Sequence, residues 1–217
     1  EDIMAERLIR AQAVEFLADA PMRLKSGLIS PVYVDNRKLF SHPEAWRDIV
    51  ETMASRVEEY DLEFDIVAGV EAAGSMHAAA LAYRLGLPAL MVRQKAKTYG
   101  NHSRIEGGDV KGMRVLLLED HISTGLSCLD AIRALRGEGA QVTQVMSFTN
   151  YAIPETQRLF KQEGIDTYDV IAFEKVVRKA KEMGVIDDEH EKLVLEWLQT
   201  PWTWAAMHGV VASAIEN

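Results

Sequence analysis

The sequence predicts an α/β protein with a central, mostly parallel sheet covered by helices on both faces, preceded by a small N-terminal hood. Three observations carry this. Short apolar runs of strand length alternate with helix-length segments through the middle of the chain. The runs are continuous rather than alternating, as in strands buried on both faces. Glycine and proline punctuate the joins. Strand, helix, strand, helix implies parallel strands joined by right-handed crossovers.

In chain order, Met4, Leu8, Ile9, Val14 and Leu17 fall at helical spacing and predict a first helix over residues 4–17. Over residues 22–36, Val32 and Val34 alternate with Tyr33 and Asp35, and Ser26-Gly27 and Ser30-Pro31 mark turns, so a short strand or hairpin is expected. His42-Pro43 opens an amphipathic helix to residue 60, with Trp46, Ile49, Val50, Met53 and Val57 on one face. Strands are expected at residues 65–70, 88–93, 114–119 and 140–148, and helices at 75–85, 127–136 and 154–163. Residues 95–111 are polar, carry Gly100, Gly107 and Gly108 with Gly112 just beyond, and show no periodicity, which marks a functional or disordered loop. Residues 174–198 read as helical, and Trp202 and Trp204 as packing residues of a tail. One domain is expected over residues 1–217: a hood to about 60, a core over 61–173 and a helical tail over 174–217.

Composition narrows the function. The 217 residues hold 24 basic and 33 acidic side chains, a formal charge of −9, so no global field favours nucleic acid or an anionic membrane. Cys128 is the single cysteine, which excludes an internal disulfide and suits a reducing compartment. Glu1-Asp2-Ile3-Met4 lacks the pattern of a signal peptide and no run of 18 apolar residues occurs, so a cytoplasmic protein with neither membrane nor nucleic-acid partner is expected.

The strongest local signal is Leu118-Glu119-Asp120-His121-Ile122-Ser123-Thr124-Gly125-Leu126-Ser127. An apolar strand delivers two adjacent carboxylates, and a hydroxyl-rich turn then starts a helix. Backbone N–H groups at a helix N-terminus bind phosphate, and Ser and Thr hydroxyls add donors. Gly125 admits a close approach that a side chain would block. Carboxylates suit ribose hydroxyls and a nearby Mg²⁺. An ordinary helix cap requires only Ser123 or Thr124, not two carboxylates after a buried strand.

This string resembles the phosphoribosyl pyrophosphate (PRPP) motif of type I phosphoribosyltransferases. Three further segments are similar to orotate phosphoribosyltransferase in particular: residues 24–37, with Lys25-Ser26-Gly27, Ser30-Pro31 and Asp35-Asn36-Arg37; residues 93–100 followed by Ile105-Glu106-Gly107; and Gly69-Val70-Glu71-Ala72-Ala73-Gly74. The resemblance runs from about residue 10 to residue 198. It implies the type I phosphoribosyltransferase fold and transfer of ribose 5-phosphate from PRPP to orotate, with release of pyrophosphate. By the same resemblance, PRPP contacts fall to Lys25, Ala72, Ala73, Arg93, Gln94, Lys95, Lys97, Tyr99 and the stretch Glu119, Asp120, His121, Ile122, Ser123, Thr124, Gly125, Leu126 and Ser127. Orotate contacts fall to Lys25, Tyr33, Val34, Ser123 and Asn150, and catalysis to Lys97 and Asp120. Mg²⁺ is expected to be held mainly through PRPP, near Glu119 and Asp120, and a homodimer to share the loop that carries Lys97.

Three departures from the family pattern stand out. Gln94 and Lys95 stand where a lysine and a glutamate are usual, Tyr99 where histidine is common, and Thr149-Asn150 where Asp-Arg is usual. Asn150 offers hydrogen bonds but no charge and no bidentate fork. It leaves open a PRPP-dependent transferase for another base. Gln94 and Lys95 leave open a non-catalytic protein that senses PRPP or a nucleotide.

Overall fold

The computed structural model describes residues 2–96 and 103–210. In chain order the elements are α1 (Asp2–Arg10), β1 (Val14–Phe16), β2 (Met22–Arg23), β3 (Ile29–Ser30), β4 (Val32–Val34), a 3-10 turn (Asn36–Ser41), α2 (Pro43–Glu59), β5 (Ile66–Val70), α3 (Ala73–Leu85), β6 (Ala89–Val92), β7 (Ile105–Glu106), β8 (Arg114–Ile122), α4 (Leu126–Gly137), β9 (Gln141–Asn150), α5 (Pro154–Gln162), β10 (Asp166–Ala172), α6 (Phe173–Glu182), α7 (Asp188–Gln199) and α8 (Trp204–Met207). The central sheet runs β10-β9-β8-β5-β6-β7. Its first five strands are mutually parallel, and the two-residue β7 pairs antiparallel with β6.

The apolar residues of β8 alternate between two cores. Leu116 and Leu118 pack with Met146 and Phe148 of β9, Ile49 and Met53 of α2, Leu81 of α3 and Val176 and Val177 of α6. Val115 and Leu117 pack on the opposite face with Leu129, Ile132 and Leu135 of α4 and Phe160 of α5. Helices therefore cover both faces, as expected for strands that are apolar on both sides.

The N-terminal strands form two small sheets, β1 with β4 and β2 with β3, both antiparallel. They are tied to the body through long-range bonds. Trp197 Nε1 of α7 donates to the Ile29 carbonyl at 2.8 Å, and the Tyr151 hydroxyl to the Val32 carbonyl at 3.3 Å.

The structure departs from the expected elements in several places. The helix expected over 174–198 is two helices, α6 and α7, parted at residues 183–187 where Gly184 is left-handed (φ 69°), and β7 lies in the segment expected to lack structure. The first helix ends at Arg10 rather than Leu17, because Gln12 turns into the left-handed region (φ 53°) and Val14 to Phe16 pair with β4. Sheet pairing there outweighs the helical spacing of Val14 and Leu17. The strand β10 was not expected: it is an edge strand whose Asp166, Thr167 and Asp169 hide its apolar character. Of the two tail tryptophans, Trp204 is buried but Trp202 is half-exposed.

One contact fixes the sheet's working end. A Cβ on Gly69 would lie 2.3 Å from the Gly74 carbonyl oxygen, and one on Gly74 would lie 2.7 Å from the Leu118 carbonyl oxygen. Both neighbours are backbone and cannot swing aside. Gly69→Ala is therefore expected to cost at least about 3 kcal/mol or to prevent folding. Gly137→Ala, where a Cβ meets nothing within 4 Å, should be neutral or stabilising by up to about 1 kcal/mol. Urea unfolding of the two variants checks the pair.

Candidate active site

Parallel strands put their carboxyl ends on one edge, where ligands of such sheets bind. A cleft of about 860 Å³ opens there. One wall is the turn after β5, Glu71-Ala72-Ala73, whose first peptide bond is cis. The floor is the run from Glu119 to Cys128, at the end of β8 and the start of α4. The far wall is the hood, with Lys25, Tyr33, Val34, Asp35 and Arg37.

The two carboxylates differ in environment. Glu119 is buried, and its Oε1 accepts the Asp120 N–H at 3.1 Å. Burial, reinforced by the neighbouring Asp120 charge, pushes the Glu119 carboxyl well above the ordinary range. Asp120 is partly exposed at the cleft. Its backbone carbonyl accepts from Asn36 Nδ2 at 2.8 Å, and the same Nδ2 donates to Thr149 Oγ1 at 2.8 Å.

The turn after the carboxylates is shaped for close approach. Gly125 has φ 72°, and a Cβ there would lie 2.9–3.0 Å from Thr156 and Phe160 side-chain atoms. The Thr156 hydroxyl donates to the Ser123 carbonyl at 3.3 Å. Ser123 Oγ is buried, lines the cleft and has no partner among the described residues. A buried hydroxyl of that kind is costly unless something binds it. Cys128, at the first turn of α4, is held as an inert thiol, since burial pushes its pKa up.

On the hood side, Arg37 holds Asp35 in a two-point ion pair, Nε to Oδ1 at 2.6 Å and Nη2 to Oδ2 at 3.0 Å. That guanidinium keeps the Asp35 carboxyl below its usual range. Lys25 is exposed at the cleft. Glu119 and Asp120 together offer oxygen donors of the kind Mg²⁺ takes from protein when phosphate oxygens complete its shell. Among the described residues, no group of three or more His, Cys, Asp or Glu side chains is arranged to hold a metal by itself. Two carboxylates fill only part of a six-coordinate Mg²⁺ shell, so Glu119 and Asp120 suit such an ion as partial ligands.

The phosphoribosyl transferase domain family matches residues 35–181. The orotate phosphoribosyltransferase of Coxiella burnetii is 40% identical over 201 residues, covering 93% of this chain and 96% of that one. The chain belongs to the orotate phosphoribosyltransferase family. Among solved structures, orotate phosphoribosyltransferase from Aeropyrum pernix matches with a TM-score of 0.72 at 26% identity, covering 84% of this chain and 99% of that one. UMP synthase of Leishmania donovani matches with a TM-score of 0.78 at 25% identity over 91% of this chain. This chain spans 42% of the length of that protein.

Most residues singled out by the family resemblance meet in the cleft. Lys25, Tyr33, Val34, Ala72, Ala73, Gln94 and every residue from Glu119 to Ser127 line it. Arg93 and Lys95 line a smaller adjoining depression with Gln94, Leu126 and Ser127. Gln94, one of the departures, grips the turn after β5: its N–H donates to Glu71 Oε2 at 3.0 Å and its amide to the Glu71 carbonyl at 3.1 Å. Arg93 pairs with Glu106 at 2.9 Å. Lys97 and Tyr99 lie outside the described residues.

Asn150 is the exception. It is 1% exposed and not among the residues lining the cleft. Its amide donates to Asp169 Oδ2 at 3.4 Å, and its Oδ1 accepts the Ala152 N–H at 2.8 Å. The structure places this side chain away from the cleft-lining residues: β9 continues two residues past its expected end, and Asn150 turns into the β9–β10 seam. The next residue, Tyr151, lines the cleft instead. Sequence reasoning left Tyr151, Asn36 and the Asp35–Arg37 pair off the site. Asn36 and the Asp35–Arg37 pair had a signal, as part of the segment that resembles the family; Tyr151 had none.

His121, which stands where the family motif has an apolar residue, is packed. Its Nδ1 lies 2.8 Å from Thr149 Oγ1, and its ring meets the Tyr151 ring edge-on at 4.2 Å. His77 of α3 is fully buried between Phe40 and Phe148 (centroids 5.1 and 6.3 Å). Burial pushes its pKa down to about 4, partly opposed by the Asp120 charge. The native state thus holds His77 neutral, while the unfolded chain binds its proton near 6.5. This stability is present in full above about 6.5 and is lost as pH falls through about 4. Relative to His77→Leu, wild type should lose up to about 3 kcal/mol between pH 7 and pH 4. Urea unfolding at several pH values measures the difference.

Proposed function

We propose that this chain transfers ribose 5-phosphate from PRPP to orotate, giving orotidine 5′-monophosphate and pyrophosphate. The observation that carries the reading is a single cleft faced by the hydroxyl-rich turn at the start of α4, the Glu119-Asp120 carboxylates, the turn after β5 and a cationic hood. Family membership supports it. In this reading the turn from Ser123 to Ser127 takes the 5-phosphate on backbone N–H groups and hydroxyls. Glu119 and Asp120 take the ribose hydroxyls. Ala72 and Ala73 bring backbone N–H groups to the diphosphate, and Arg93, Lys95 and Lys97 bring charge to it. Lys25, Tyr33 and Val34 border the base.

The reaction needs the C1–diphosphate bond to break with positive charge growing on the ribose ring. Asp120 lies on the side where that charge grows, and Lys97 meets the charge leaving with pyrophosphate. By likeness to the family, the segment that carries Lys97 would keep water from the ribosyl cation. Mg²⁺, held through PRPP near Glu119 and Asp120, would neutralise diphosphate charge. Asn150 is committed to Asp169 and Ala152, so charge recognition of the orotate carboxylate falls to the hood cations. We read the protein as one domain over 1–217, as a homodimer sharing the Lys97 loop, and as cytoplasmic. No helix among the described residues is long and apolar enough to cross a membrane.

Purified protein mixed with PRPP, Mg²⁺ and orotate should deplete orotate's ultraviolet absorbance. Lys97→Ala should slow this by about a hundredfold or more. PRPP binding without orotate turnover, but with turnover of another base in a screen, would reassign the base. Binding without any turnover would make the protein a PRPP sensor.

A further inference from the structure

Asn36 is a single polar residue sealed inside the molecule, and its side chain spans three segments distant in sequence. It is 0% exposed. Its amide nitrogen has two hydrogens, and both are used: one on the Asp120 carbonyl, one on the Thr149 hydroxyl, each at 2.8 Å. Thr149 in turn contacts His121 Nδ1 at 2.8 Å. Asn36 therefore ties the hood to the ends of β8 and β9 at the position of the Asp120 carboxylate.

Its own frame is stiff. Val34 pairs in β4, the Asp35 N–H donates to the Ala13 carbonyl at 2.8 Å, and Asp35 Oδ1 accepts the Arg37 N–H at 3.2 Å. Leu39, in the turn that Asn36 opens, is fully buried. A side chain on so fixed a backbone cannot follow its acceptors if they move. The Asp120 peptide is held on one side by Asn36 and on the other by its N–H bond to Glu119 Oε1. With both ends of the residue restrained, its Cα–Cβ direction over the cleft is restrained too.

We propose that Asn36 is a positioning residue for Asp120, setting the direction of that carboxylate toward the ribose and coupling the docking of the hood to PRPP affinity. The inference rests on the proposed role of Asp120. A hydrogen bond that served only to hold the hood in place would contribute to stability and leave ligand affinity alone. One that aims Asp120 contributes to affinity, and only while Asp120 carries its carboxylate.

The test is a double-mutant cycle on the full chain, with PRPP–Mg²⁺ affinity read by calorimetry. Asn36→Ala should weaken binding about tenfold, the scale of one lost hydrogen bond. In an Asp120→Asn background the same change should weaken it by less than about twofold. Should Asn36→Ala fail to fold, Thr149→Val removes one of the two acceptors at nearly constant volume, and its loss must likewise vanish in the Asp120→Asn background. Equal losses in both backgrounds, or a lowered melting temperature with unchanged affinity, overturn the positioning role. An Asp120→Asn protein that binds PRPP as wild type does would instead overturn the reading of Asp120, and the proposal with it.

Discussion

The close backbone contact between the turn after β5 and the end of β8 governs the rest of this molecule. Gly69 lies against the Gly74 carbonyl, and Gly74 against the Leu118 carbonyl and the Glu119 Cα. The Ser75 hydroxyl closes the same turn by donating to the Gly69 carbonyl at 3.1 Å. Two glycines five residues apart thus let a helix start directly beside a neighbouring strand. The consequence is chemical: Glu71-Ala72-Ala73 and the Glu119-Asp120 pair end up on facing sides of one cleft. Any side chain at either glycine would part them.

Around that contact, charge is distributed unevenly for a chain of net charge −9. Arg23, Lys25 and Arg37 border the cleft from the hood, and Arg93 and Lys95 border the adjoining depression. Opposite them sits Glu119, whose carboxyl is driven upward by burial. A cationic rim over a polar, hydroxyl-rich floor suits a small polyanion in an otherwise acidic protein. The rim depends on docking of the hood, which is held among other bonds by Trp197 to Ile29, Tyr151 to Val32, and Asn36 to both Asp120 and Thr149. The tail helices are therefore tied to the hood side of the cleft through Trp197.

Much of this was legible in the sequence, for physical reasons that differ by element. The apolar strands β5, β8 and β9 and the helices between them carry strong periodic or continuous patterns, and their residues were located to within a few positions. The cleft floor was legible because carboxylates followed by a Ser/Thr/Gly turn are chemically unusual. The strand β10 was not, since an edge strand shows polar side chains. Neither was the early end of α1, where a left-handed Gln12 replaces the glycine that usually signals a helix stop. Asn36 and Asn150 show the limit most clearly. Each is one polar residue whose role depends on which way a strand end faces, and side-chain direction at a strand end inverts with a shift of one residue. Asn150 was placed at the base by likeness to the family and is found in the β9–β10 seam. Asn36 belongs to a segment similar to the family, and nothing in the sequence shows that its side chain reaches the end of β8.

The central claim is that one cleft, at the carboxyl ends of β5 and β8, receives PRPP in a single orientation. A crystal structure of the protein with PRPP and Mg²⁺ tests it most directly. The account predicts the 5-phosphate against the backbone N–H groups of Ser123 to Ser127, the ribose hydroxyls on Glu119 and Asp120, and the diphosphate over Ala72 and Ala73. Density for PRPP outside this cleft, or with its two phosphate ends exchanged, would contradict it.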